Sequence, residues 1–234
     1  MKPGRSRYAM LVCALPALPA TLFTERQTPI SRLQLDRRLA LLAPEDARRL
    51  SALEDVLHWD RLPMGLDDGR VAREFRATLA SLPPGLPRDV ARWRLEDRTL
   101  LAALRRRQLG RPAPAPGEDW GCGNRVEHIR RAWHEPVFGL ERLFPWAGEA
   151  ARLLKVGDAL GLERLLLGHT WEGLSRLGAG HYFDFEAVAI YVLKWDILRR
   201  WTACNGVTAL RRFQDLADAA LGEGHVPFAA VEGG

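Results

Sequence analysis

Between Phe183 and Trp201 the chain places apolar residues on both faces of what a helical period would make one rod. Phe185, Val188, Ile190, Tyr191, Val192, Leu193, Trp195, Leu198 and Trp201 leave little room for a polar stripe. A helix that is apolar nearly all round must be covered on nearly all sides. At roughly twenty residues it has the length of a membrane span. Asp184, Glu186, Lys194, Asp196, Arg199 and Arg200 interrupt it, however, and unpaired charge at bilayer depth is expensive. The pattern predicts the central helix of an all-α fold, with Asp184 as its N-cap.

The other periodic segments are one-sided. Ser31 is placed to cap a helix over 32–42, and Pro44 with Glu45 and Asp46 opens another that runs to about Trp59. Its apolar set, Ala47, Leu50, Leu53, Val56 and Leu57, recurs at three and four and buries one face. RLPMGLDDG breaks the chain, and a helix over 71–82 stops at Pro83 and Pro84. The longest helix of the first half, 87–110, carries a stripe of Val90, Trp93, Leu100, Leu101 and Leu104. Arg105, Arg106, Arg107 and Gly110 suit its C-terminus.

RPAPAPGED then reads as an irregular connector. Beyond it, Asn124 is placed to cap a helix over 125–134, and helical spacing continues through 146–156 and 157–177. Asn205 and Gly206 stop the central helix, 207–221 predicts a last amphipathic helix, and a Gly- and Ala-rich tail starts at Gly222. Only Tyr8–Leu15 is ambiguous between helix and strand. The expectation is a multi-helix bundle of two lobes, 1–110 and 121–221, joined by a connector at 111–120 and followed by a tail at 222–234.

Composition adds limits rather than a function. At 234 residues, 47% hydrophobic and 27% charged, the chain has the makeup of an ordinary folded protein. Its net charge of +5 is carried almost wholly by arginine, since lysine occurs only at Lys2, Lys155 and Lys194. Most arginines share segments with Asp or Glu (RLEDR, LDRR, PEDARR), a pattern of solvated, ion-paired helix faces. Cys13, Cys122 and Cys204 are odd in number and widely spaced, which argues against a disulfide framework and for a reducing compartment. The N-terminus has the outline of a signal peptide, basic and then apolar from Tyr8 to Leu18. Pro16 and Pro19 interrupt that run, and Leu11 and Val12 stand where a lipoprotein box wants small residues, so retention is expected.

Motifs of chemistry are weak. His128 and His134 are six apart, whereas a helical zinc site wants ligands about four apart, so no metal is expected. No nucleophile elbow or phosphate loop is present, and Cys122 in WGCGN has no evident base. Glu127, Glu135, Glu141, Glu149 and Glu163 carry no mark of acid–base work. Lys194 reads as a snorkelling stem whose ammonium meets a nearby carboxylate. Trp59, Trp120 and Trp146 fall at predicted element ends, where exposed aromatics anchor partners. A helical DNA-binding regulator is the alternative reading. It rests on Arg211, Arg212 and Gln214 in 207–221, but Asp215 and Asp218 would repel phosphate.

Two stretches carry a resemblance. YAMLVCALPAL followed by TPIS resembles the opening of a bacterial domain-of-unknown-function family encoded in V-type ATPase operons. WEGLSRLGAGHYFDFEAVAIYVLKWDILRRWTACNGVTALRRF resembles that family's C-terminal signature. It is also similar to the last helices of the C (or d) subunit of V/A-type ATPases, with Phe183, Asp184, Glu186, Tyr191, Lys194 and Arg200 in the matching places. The likeness covers about ten residues at the start and forty to fifty near the end.

It implies a non-enzymatic accessory or central-stalk subunit, cytoplasmic and peripheral on the inner face of the cell membrane. Such a protein links the rotor shaft to the membrane ring during proton or sodium transport. Its partners would be the shaft and ring subunits, with no cofactor, small-molecule substrate or nucleic acid. The implied interface or structural residues are Asp184, Glu186, Tyr191, Lys194, Trp195, Arg200 and Trp201.

Overall fold

A computed structural model describes residues 3–57 and 68–204. Within them the chain is all-helical: α1 (Pro3–Ala14), α2 (Arg32–Leu39), α3 (Pro44–Leu57), α4 (Asp68–Ser81), α5 (Leu86–Gln108), α6 (Val126–Arg131), α7 (Ala147–Val156), α8 (Ala159–Leu177) and α9 (Phe185–Cys204). The ambiguous opening segment is thus helical. His58, Trp59, most of the RLPMGLDDG break, the last amphipathic helix and the tail lie outside the described residues.

Local chemistry sets most boundaries. Ser31 and Gln34 form a reciprocal capping box, Ser31 Oγ accepting from the Gln34 amide and Gln34 Oε1 from the Ser31 amide. Asp158 Oδ1 accepts from the Gly161 amide at 2.8 Å to open α8, and Gly157 ends α7 in the left-handed region at φ 74°. The cap predicted for Asn124 is not formed. Gly123 turns the chain at φ 95°, the Asn124 amide donates to Glu96 Oε1, and α6 starts later and ends earlier than 125–134.

The two apolar faces of α9 enter two different cores. Phe185, Val188, Ala189, Val192 and Trp195 pack with Leu11 of α1, with Ile30 in the turn before α2, with Leu35 and Leu39 of α2, and with Leu42 and Leu50. Ile190, Leu193, Ile197, Leu198 and Trp201 pack with Leu53, Phe75, Val90, Leu95, Trp171 and Leu174 from α3, α4, α5 and α8. The all-round apolar pattern is the sum of these two commitments. A third core joins the C-terminal half of α5 (Leu100, Leu101, Ala103, Leu104) to Trp120, Trp133, Phe138, α7 and Leu162 of α8.

Residues 111–120 are irregular, but they do not divide two cores. The clusters around α9 draw on helices from both sides of that connector. Trp120 and Trp146, expected as exposed anchors, are each only 6% exposed. Position at an element end did not predict exposure, because the 120–146 segment folds back onto α5. No helix among the described residues is long and apolar enough to cross a membrane.

Close approach fixes how α8 sits. A Cβ on Gly173 would lie 2.1 Å from the Trp93 ring, and one on Gly168 would lie 3.3 Å from Phe23. These two glycines let flat aromatic rings lie against the helix backbone.

Candidate functional site

The seven residues singled out along α9 do not gather at one place. Asp184 and Arg200 are sixteen residues apart, roughly 24 Å along a helix. They fall instead into three groups, each tied to a different neighbour.

At the start of α9, Asp184 Oδ1 accepts from the Ala187 amide at 2.9 Å, and its other oxygen lies 2.8 Å from His181 Nδ1. Single ligand atoms of His181, Asp184 and Glu186 come within 4.8 Å of one another. They are the one such trio among the described residues. Asp184 is already engaged by the cap and by His181, so the cluster is accounted for by helix initiation. Sequence reading missed it because the histidine stands before the helix, not on it. Tyr182 and Phe183 beside it are exposed.

In the middle, Trp195 and Tyr191 face the α1–α2 side. Trp195 is 1% exposed, and its Nε1 donates to the Ile30 carbonyl at 3.0 Å. The Tyr191 hydroxyl is buried with no hydrogen-bond partner among the described residues, and burial pushes its pKa up to about 12 against the opposing pull of Arg38. Tyr8 of α1 donates to Asp46 of α3. Burial and that carboxylate raise the Tyr8 pKa well above the ordinary tyrosine value.

Along the α8 side, Lys194 does not meet a carboxylate among the described residues. Its Nζ donates to Ser175 Oγ at 2.9 Å and lies 4.1 Å from the centre of the Trp171 ring. Burial lowers its pKa, as expected for an ammonium with no anion to offset its desolvation. Farther along α9, the Arg200 guanidinium grips both oxygens of Glu163, with Nη2 to Oε2 at 3.1 Å. Trp201 is buried, its ring edge-on to Phe23 with centroids 4.9 Å apart, and its Nε1 has no partner among the described residues.

Sequence reading also missed a buried polar group between α5 and α8. Asp97 is 1% exposed. One of its oxygens, Oδ2, lies 3.3 Å from Arg94 Nη1 and 3.2 Å from His169 Nε2. Burial pulls Arg94 below the ordinary arginine value, and Asp97 offsets part of that. The His169 ring sits 5.5 Å from both Trp93 and Trp146. Asp97 and His169 are too far apart in sequence for spacing to pair them.

Cys122 is structural. Its thiol donates to the Ala72 carbonyl at 3.3 Å, its amide donates to Thr99 Oγ1 at 2.9 Å, and burial raises its pKa. A nucleophilic thiol needs the opposite environment. His128, half of the histidine pair considered for metal, places Nε2 3.0 Å from the Phe138 carbonyl. That contact helps to hold Val137 and Phe138, both buried at positive φ (44° and 58°).

Comparison of the chain with protein-family models, curated proteins and solved structures found no match.

Proposed function

We propose that this chain is a non-catalytic accessory or central-stalk subunit of a bacterial V-type ATPase, similar to the C/d subunit, that joins the rotor shaft to the membrane ring. One observation carries the reading. The two stretches with that resemblance, far apart in sequence, meet in a single core. Leu11 of YAMLVCALPAL and Ile30 of TPIS pack against Phe185, Val188, Val192 and Trp195, and Trp195 donates to the Ile30 carbonyl. Two resembling stretches that bury each other form one structural unit, which supports reading them together rather than separately.

The mechanics suit the role. A coupling part must transmit force without yielding, and close-packed interiors have low compressibility. Here α9 is held in two cores and tied to α8 through Lys194–Ser175 and Arg200–Glu163. The exposed Tyr182 and Phe183 at the α8–α9 turn offer a contact surface for a shaft or ring.

The test is direct binding. The purified chain is mixed with purified rotor-shaft subunits of the same organism's V-type ATPase and followed by size-exclusion chromatography with light scattering. A stoichiometric complex weakened by Tyr182→Ala with Phe183→Ala supports the proposal. Separate elution from both the shaft and the solubilised membrane ring overturns it.

A further inference from the structure

Arginines recur along one face of α5 at helical spacing, and that face looks into a cavity. The cavity has a volume of about 330 Å³ and lies where two of the cores meet, bounded by α4, α5 and the 120–122 loop. Arg98, Arg105, Arg106 and Arg111 line it, and no carboxylate is among its described lining residues. Its size is at the small end of ligand pockets.

The walls are fixed in advance. The Arg98 guanidinium lies 4.6 Å from the centre of the Phe75 ring. Arg106 is steered by the Pro112 carbonyl at 2.9 Å and by Glu118 at 2.6 Å. The loop floor is pinned by Cys122 to Thr99, and a Cβ on Gly121 would meet Thr99 at 2.6 Å, so the loop lies hard against α5. Arg105 and Arg111, at the mouth, are exposed and make no ion pair with a described carboxylate. Arg105 is open to solvent along its length but has a partly buried head; that burial pulls it below the ordinary arginine value, Glu163 works the other way, and Arg200 adds to the fall.

We propose that this cavity is a binding site for a compact polyanion of the phosphate class, held by the guanidinium forks of Arg98, Arg105, Arg106 and Arg111. Arg105 and Arg111 bring positive charge to the mouth that no lining carboxylate offsets. An anion relieves the resulting repulsion while taking bidentate bonds. The number of forks suits phosphate or diphosphate better than a single carboxylate. The chemistry is shared by inorganic diphosphate and by the phosphates of a nucleotide. The inference stands independently of the ATPase reading.

The experiment is isothermal titration of the full chain with sodium pyrophosphate and, separately, with ADP, at constant ionic strength. One saturable site with a dissociation constant below about 1 mM is expected for pyrophosphate. Comparable affinity for ADP assigns the site to the phosphates alone, and tighter ADP binding adds a nucleoside contact. Arg111→Gln is a solvent-facing change that should leave the melting temperature in place, and a melting curve for Arg105→Gln, whose head is partly buried near Glu163 and Arg200, separates any loss of folding from loss of binding. Each should weaken pyrophosphate binding about tenfold or more, whereas Arg125→Gln, exposed and outside the cavity, should leave it unchanged. Absence of saturable pyrophosphate binding overturns the proposal. So does binding that both pocket variants retain at full strength.

Discussion

Replacing Trp195 by Phe isolates the bond that joins α9 to the turn before α2. The indole is 1% exposed and its N–H donates to the Ile30 carbonyl at 3.0 Å. Phe keeps a ring in the core but removes the donor, leaving a buried carbonyl unpaired at a cost of about 1–3 kcal/mol. The smaller ring also leaves a void worth about 1–2 kcal/mol. The sum, about 2–5 kcal/mol, is a large share of a typical domain's stability. For a chain of this size it lowers the melting temperature by roughly 5–15 °C.

Trp201→Phe is the matched control. Trp201 is similarly buried, but its N–H has no partner among the described residues, so only the packing loss is expected. Urea unfolding followed by far-UV circular dichroism measures both. Trp195→Phe is expected to cost at least about 1 kcal/mol more than Trp201→Phe, with an unchanged denaturant slope. Equal costs, or the reverse order, would refute the reasoning that the Trp195–Ile30 bond holds α9 to the turn before α2.

The same contacts set three further outcomes. Asp184→Ala removes the cap on the Ala187 amide and should destabilise the fold by about 1 kcal/mol, whereas Asp184→Asn, which keeps an acceptor, should cost less; urea midpoints decide. Burial lifts the Tyr191 pKa to about 12, so folding favours the neutral phenol. Its contribution is complete below about pH 10 and is lost as pH rises from there towards about 12. Tyr191→Phe should flatten that alkaline limb, leaving the part due to Tyr8, and should cost little at neutral pH because the hydroxyl has no partner among the described residues. In a Cys204→Ser background, a thiol reagent should modify exposed Cys13 quickly and buried Cys122 only on unfolding; rapid modification of both thiols would contradict the structural role given to Cys122.

Much of the architecture was legible because local physics decided it. The all-round apolar pattern of α9 demanded cover on both sides, and it is covered by two cores. Ser31, Asp184, Pro44 at the first position of α3 and Pro87 near the start of α5 marked helix starts that need no tertiary information. What remained hidden depends on contacts between helices. Lys194 was expected to find a carboxylate, but the helix that packs over it presents Ser175 and Trp171 there instead. Trp120 and Trp146 are buried because their segment folds back on α5, which position in the sequence does not reveal.

The Asn124 cap failed for a similar reason, since a left-handed glycine and Glu96 from another helix took over that turn. The arginine-lined cavity lay between these extremes. Arg105 and Arg106 were read only as suiting the C-terminus of α5, and nothing in the sequence announced the α4 ring and the 120–122 loop that close the pocket around them.

The measurement that bears most directly on the central claim is an affinity-tagged pull-down from gently solubilised membranes of the native organism, with mass spectrometry of what co-purifies. The account predicts recovery of V-type ATPase shaft and membrane-ring subunits with the wild-type chain, and less of both with Tyr182→Ala, Phe183→Ala. Recovery of the chain without any ATPase partner, while the shaft and ring proteins are abundant in the same lysate, would contradict it.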